Sequence, residues 1–157
     1  MTYRSILSAA CAIALGAGAI APAFAQAAAV SLKGDVKVVR QVTENGKPVE
    51  KLESPEQVLP GDKLVFSTSY TNGGKEPATD FVVTNPIPAP VKLTSAQGLE
   101  VSVDAGKTFG TLAALKVAHT DGTLRAAELA DVTHVRWRVA SIAPGASGEV
   151  KYFAEVR

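Results

Sequence analysis

The chain has 157 residues, with 16 Lys and Arg against 15 Asp and Glu, and 46% of it is hydrophobic. This composition excludes wholesale disorder, and the balanced charge argues against nucleic acid as a partner, because such domains carry a basic excess on one face. A single cysteine excludes a disulfide framework, a thiolate zinc site and an iron–sulfur cluster, and two histidines leave little for a histidine-rich metal site.

Residues 1–25 have the three-part layout of a secretory signal. Arg4 stands in a short opening region without acids, residues 6–20 are uncharged and apolar, and Ala23-Phe24-Ala25 supplies the small-x-small pattern read by signal peptidase. The apolar run is short for a span, which needs about 20 residues. Cleavage before Gln26 is the expectation, with no membrane span afterwards and a periplasmic or extracellular mature chain. Cys11 lies inside the signal, with Ser8 where a lipoprotein signal has an aliphatic residue, so lipidation is not expected. The mature chain then holds no cysteine, and its core alone must stabilise it.

From residue 30 onward the pattern is that of strands. Residues 30–42 are rich in β-branched residues and end at Asn45-Gly46, a hairpin turn signal, with residues 49–52 as the returning strand. Pro60-Gly61-Asp62 is a turn. Residues 63–71 alternate, with Leu64, Phe66, Thr68 and Tyr70 on one face and Val65, Ser67, Ser69 and Thr71 on the other, the period of a half-buried strand. After the turn at Asn72-Gly73-Gly74 comes a strand at 79–84. The run Asn85-Pro86-Ile87-Pro88-Ala89-Pro90 cannot be a central strand, because three prolines lack the donor. Short strands are predicted at 91–95 and 99–103. Residues 111–119 read as a helical turn or an irregular strand, and residues 124–129 are ambiguous, since Arg-Ala-Ala-Glu-Leu suits a helix. Alternation returns at 133–142, with Val135, Trp137 and Val139 on one face. Pro144-Gly145 is a turn, and residues 149–156 form the last strand. Seven to nine short strands between Gly, Pro and Asn turns predict an all-β fold, an immunoglobulin-like antiparallel β-sandwich. Residues 26–57 form its N-terminal strand and hairpin segment, and residues 58–157 form its body.

The turn and strand residues resemble DUF11, an immunoglobulin-like module often repeated in bacterial surface and secreted proteins. The similarity runs through Pro60-Gly61-Asp62-Lys63-Leu64-Val65-Phe66, then Thr71-Asn72-Gly73-Gly74 with Pro77-Ala78. It continues through Val82-Val83-Thr84-Asn85-Pro86-Ile87-Pro88, Trp137, and the closing stretch from Ile142 through Pro144-Gly145 to Val150. Asn85 stands where that family usually has Asp. The domain is single, and residues 106–133 are longer and less regular than in the family. The resemblance implies a fold and a place at the cell envelope and says little about activity. It implies structural roles for Pro60, Gly61, Asn72, Asn85, Trp137, Pro144 and Gly145.

Among chemistry-bearing patterns, Ser102-Val103-Asp104-Ala105-Gly106-Lys107-Thr108-Phe109 is similar to the Asp-box hairpin of sialidases and other propellers, where it is a folding device away from the active site. The turn role of Asp104, with Phe109 packed beneath, is preferred over a calcium or sugar role. A metal site built from His119, His134, Asp121 and Asp131 is conceivable across a hairpin, because such ligands suit zinc, but surface histidines explain the pattern as well. Glu50/Glu53 and Glu53/Glu56 lie in polar sequence and read as solvated carboxylates. Arg136 and Arg138 flank Trp137 on the outward face, where alternating Arg protects an edge or, less favoured, holds an acidic sugar. No nucleophile elbow and no phosphate-cradling loop are present.

The sequence therefore predicts a non-enzymatic exported domain with no cofactor and no metal, and a structural or interaction role at the bacterial envelope. Its partner would be an envelope protein or polysaccharide. The alternative is a small module for carbohydrate or a divalent cation, using the loops around Asp104 and His119, with Asp104, His119 and Asp121 as the weak candidates for a metal.

Overall fold

The computed structural model describes residues 30–157; the predicted signal, its cleavage point at Gln26 and Cys11 lie outside the described residues. Within them run β1 (Val30–Glu44), β2 (Lys47–Glu53), β3 (Lys63–Asn72), β4 (Ala78–Pro86), β5 (Val91–Leu93), β6 (Glu100–Ser102), β7 (Lys116–Ala118), β8 (Leu124–Ala126), β9 (His134–Ile142) and β10 (Ser147–Val156). A five-stranded sheet in the order β2-β1-β3-β10-β5 packs on a three-stranded sheet in the order β4-β9-β6. All pairings are antiparallel, so the fold is the all-β sandwich that the alternation predicted.

Ten strands form rather than seven to nine. The surplus comes from residues 110–133, which carry the β7–β8 hairpin between two 3₁₀ turns at Leu112–Ala114 and Leu129–Asp131. The helix-favouring composition of residues 124–129 is overridden: Leu124–Ala126 is strand, and a single 3₁₀ turn follows. A helix so short cannot repay its own nucleation.

The core follows from the two-residue period. Val38, Leu64, Ala154 and Leu93 are successive cross-strand neighbours on the inner face of the large sheet, and none is more than 5% exposed. Burying Val or Leu at such positions contributes about 1.5–3 kcal/mol each. The next row is Val36, Phe66 and Tyr152, in which the Phe66 and Tyr152 rings stack in parallel with centroids 4.8 Å apart. From the small sheet, Val83, Val101 and Val135 are wholly buried, and Trp137 leans on Tyr152 at 6.2 Å to join the layers. Polar bonds also cross between the sheets. Asn85 Nδ2 donates to Thr68 Oγ1 at 2.7 Å, and the Tyr152 hydroxyl donates to the Pro86 carbonyl at 3.3 Å.

β4 runs further than expected and takes in Asn85 and Pro86. It is an edge strand, so a proline at its last position breaks no internal ladder. Near its start, Asp80 at φ 51° resets the alternation, which lets both Ala78 and Val83 point inward although they are five positions apart. Short polar side chains tolerate this left-handed conformation.

β1 serves two partners in succession. Residues 30–38 pair with β3, and residues 38–44 pair with β2, so the β1–β2 hairpin extends past the end of β3 as an arm. Every residue of β2 is exposed. Asn45 and Gly46, at φ 53° and 75°, make the tight reversal at its tip, the conformation that a two-residue hairpin turn demands. Arg40 braces the base of the arm, donating to Asp62 Oδ1 at 2.7 Å and to the Gln57 carbonyl at 3.0 Å. Among the described residues, no helix is long and apolar enough to cross a membrane.

Candidate functional site

The Asp-box stretch begins where β6 ends. The Ser102 side chain, wholly buried, donates to Asp104 Oδ1 at 2.7 Å and accepts from the Gly106 amide at 2.9 Å. Asp104 Oδ1 also accepts from the Thr108 amide at 2.9 Å and the Lys107 amide at 3.1 Å, and Oδ2 accepts from the Thr108 hydroxyl at 2.7 Å. A carboxylate offers about four acceptor positions, and four donors converge here. The Thr108 amide first, then the Ser102 and Thr108 hydroxyls, hold the Asp104 carboxyl far below the usual carboxylate range. The chain reverses through Ala105 at φ 60° and Gly106 at φ 83°, and Val101 and Gly110 close the hairpin with paired backbone bonds of 2.8 and 3.0 Å.

The hairpin folds over the outer face of the small sheet. His134 lies beneath Gly106, where a Cβ would stand 3.5 Å from the imidazole, and its Nδ1 is 3.2 Å from Thr133 Oγ1. Phe109 is half-buried beside the turn. Its ring lies against the Arg136 guanidinium at 4.1 Å, a cation–π contact.

Arg136 and Arg138 converge on one carboxylate. Glu100 Oε2 accepts from Arg136 Nε at 2.8 Å and from Arg138 Nε at 3.2 Å, and the Arg136 bond is the main cause holding Glu100 below its ordinary value. The expected edge-protecting role is corrected by the strand order: β9 lies between β4 and β6 and is no edge. Arg138 remains 61% exposed, whereas Arg136 is largely covered.

His119 and Asp121 occupy the tip of the separate β7–β8 hairpin. Asp121 Oδ1 accepts from the Thr123 hydroxyl at 2.6 Å and the Thr123 amide at 2.9 Å, which lowers its titration. Asp131 is held by Arg125 Nη1 and Nη2, each donating to one carboxylate oxygen at 2.6 Å, and accepts from the Glu128 amide, capping the second 3₁₀ turn. The four residues weighed as zinc ligands are thus distributed over different tasks: His134 packs under the Asp box, Asp131 clamps Arg125, and Asp121 orders its own turn. Among the described residues, no three His, Cys, Asp or Glu side chains gather closely enough to hold an ion. Glu50, Glu53 and Glu56 lie exposed on or just after β2, with Glu50 bonded to Gln41.

The turn residues do more than reverse the chain. Asn72, wholly buried at the end of β3, donates from Nδ2 to the Glu76 and Ile142 carbonyls, both at 2.8 Å, and accepts from the Gly74 amide at 2.9 Å. Its own carbonyl accepts from the Gly145 amide at 2.7 Å, tying the Pro144-Gly145 turn, which carries the chain from β9 into β10, to the end of β3. At Pro60-Gly61-Asp62 the Gly61 amide donates to the Val156 carbonyl, and Asp62 caps the Leu59 amide. Trp137 is half-buried against the core.

Two concavities were not apparent from the sequence. A cleft of about 430 Å³ opens between the sheets beside Val36, Phe66, Thr68, Asn85, Pro86 and Tyr152. A polar hollow of about 650 Å³ lies under the arm, lined by Val38, Arg40, Glu53, Ser54, Glu56 and Gln57. The rows Val36–Phe66 and Gly34–Thr68 carry the only sequence signal for the first, because Gly34 leaves the inner face open. No protein-family model, curated protein or solved structure matches the chain.

Proposed function

We propose that the chain is an exported, non-enzymatic immunoglobulin-like domain, akin to DUF11 modules, that works by contact with another protein of the bacterial cell envelope. The observation that carries this reading is the arm. Residues 39–53 extend a sheet beyond its own sandwich and hold Val49 and Leu52 at 40% and 54% exposure. A two-stranded hairpin is marginal in water, so an arm of this length is better accounted for by a partner than by stability. The polar groups of the candidate sites support the same reading, since Asp104, Asp121, Asp131 and Glu100 all bond to neighbouring groups of the chain.

The test is to express the full chain in a bacterial host with a photo-crosslinking residue at position 52. The mature protein should begin at Gln26, fractionate with the envelope, and crosslink to a discrete protein band. Retention of Met1, or a band-free result at position 52 alongside free diffusion into the medium, sinks the proposal. For the carbohydrate or cation alternative, the decisive sign is a calcium-dependent rise in melting temperature that Asp104→Ala abolishes.

A further inference from the structure

The chain contains three asparagines, Asn45, Asn72 and Asn85, and the fold gives each a different chemical fate. Two are followed by glycine, the sequence in which a main-chain amide most readily attacks the preceding side chain, because no Cβ shields it. We propose that Asn45 is a site of spontaneous deamidation in the folded protein and that Asn72 is protected from it.

The reaction needs only water. The Gly46 nitrogen loses its proton to solvent base and bonds to Cγ of Asn45, and the Cγ–Nδ2 bond breaks, releasing ammonia and leaving a five-membered succinimide. Water then opens the ring at either carbonyl, giving Asp or isoaspartate at position 45. For this, the side-chain amide must be free to swing onto the next nitrogen. Asn45 meets the requirement. It is exposed at the tip of the arm, and among the described residues neither its side chain nor the Gly46 amide makes a hydrogen bond. The strands behind it pair only with each other beyond Val38, so the tip opens without disturbing the sandwich.

Asn72 precedes Gly73 and has the same intrinsic chemistry, but cyclisation there would break three hydrogen bonds in a wholly buried position. Asn85 cannot react in this way, because Pro86 has no N–H. The product at position 45 adds a negative charge next to Glu44. In the isoaspartate form it also lengthens the main chain by one carbon between Glu44 and Lys47, the terminal pair of the arm.

The experiment is timed incubation of the folded protein at mildly alkaline pH, followed by peptide mass mapping and enzymatic methylation of isoaspartate. The Asn45 peptide should gain the mass of an amide-to-acid exchange and split into two forms. The Asn72 peptide should convert at least about a hundredfold more slowly, as reaction there waits on a large opening. In denaturant the two should react at comparable rates. Equal rates in the folded protein, or an Asn45 that stays intact while the denatured chain converts, would overturn the proposal.

Discussion

Asn72 and Ile142 are joined by a buried hydrogen bond of 2.8 Å across seventy positions of sequence, from the end of β3 to the end of β9. The same amide group holds the Glu76 carbonyl, so one side chain locks the exit of β3 to the exit of β9. Replacing it by Ala leaves two carbonyls without their donor in a site closed to water. Asn72→Ala should therefore cost about 2–3 kcal/mol, read as a lower denaturant midpoint at unchanged slope. A loss under about 0.5 kcal/mol would show that water replaces the amide.

Gly148 faces Tyr70 in the β3–β10 register, and a Cβ on Gly148 would run into the Tyr70 phenol ring. Gly148→Ala should cost about 1 kcal/mol or more by overpacking. In a Tyr70→Ala background the same substitution should be close to neutral. A thermodynamic cycle of the four proteins measures this coupling, and strict additivity would refute it.

Burial pushes the Tyr152 hydroxyl up to about 12. The folded state thus keeps its proton where the unfolded chain, titrating near 10, has lost it. Stability from this group is fully present below about pH 10 and is lost as the pH climbs towards 12. Tyr152→Phe should flatten that loss. At neutral pH it should cost about 1 kcal/mol for the bond to Pro86.

Asp104 titrates in the opposite sense. Its carboxyl is held below the ordinary value by the Thr108 amide and by the Ser102 and Thr108 hydroxyls. Its contribution is present above the unfolded value near 3.9 and is lost as the pH falls through the lower folded value. Melting temperature against pH should fall less steeply on the acid side for Asp104→Asn than for wild type, and superimposable acid limbs would refute this.

Trp137→Ala should cost about 3 kcal/mol, because the indole joins Tyr152 to the small sheet. A change below about 1 kcal/mol would make it a surface residue.

What could be read in the sequence is what depends on local alternation. Residues 63–71 declare their two faces by alternation, Leu64, Phe66 and Thr68 turning to the core and Ser69 and Thr71 to solvent, although Val65 on the outer face is itself buried. The box around Asp104 is legible because its donors lie within four positions of it. Residues 110–133 are not legible, because contacts outside the period hold them: Arg125 on Asp131, and the Ala127 amide on the Leu115 carbonyl at 3.0 Å. The pairing of Arg136 with Glu100 was out of reach for another reason. It depends on which strand lies beside β9, and that neighbour comes from thirty-six positions earlier.

The last strand is also one of the most central. Ser147–Val156 lies between β3 and β5 and supplies Tyr152, Ala154 and Val156 to the core, pairing Ala154 with Leu64 over ninety positions. The sandwich is therefore unfinished without Ser147–Val156, which stands between its two neighbours in the large sheet. Contacts this distant in sequence make closure of the sandwich slow. Deleting Tyr152–Val156 would strip β3 and β5 of the strand that joins them and open the large sheet from within.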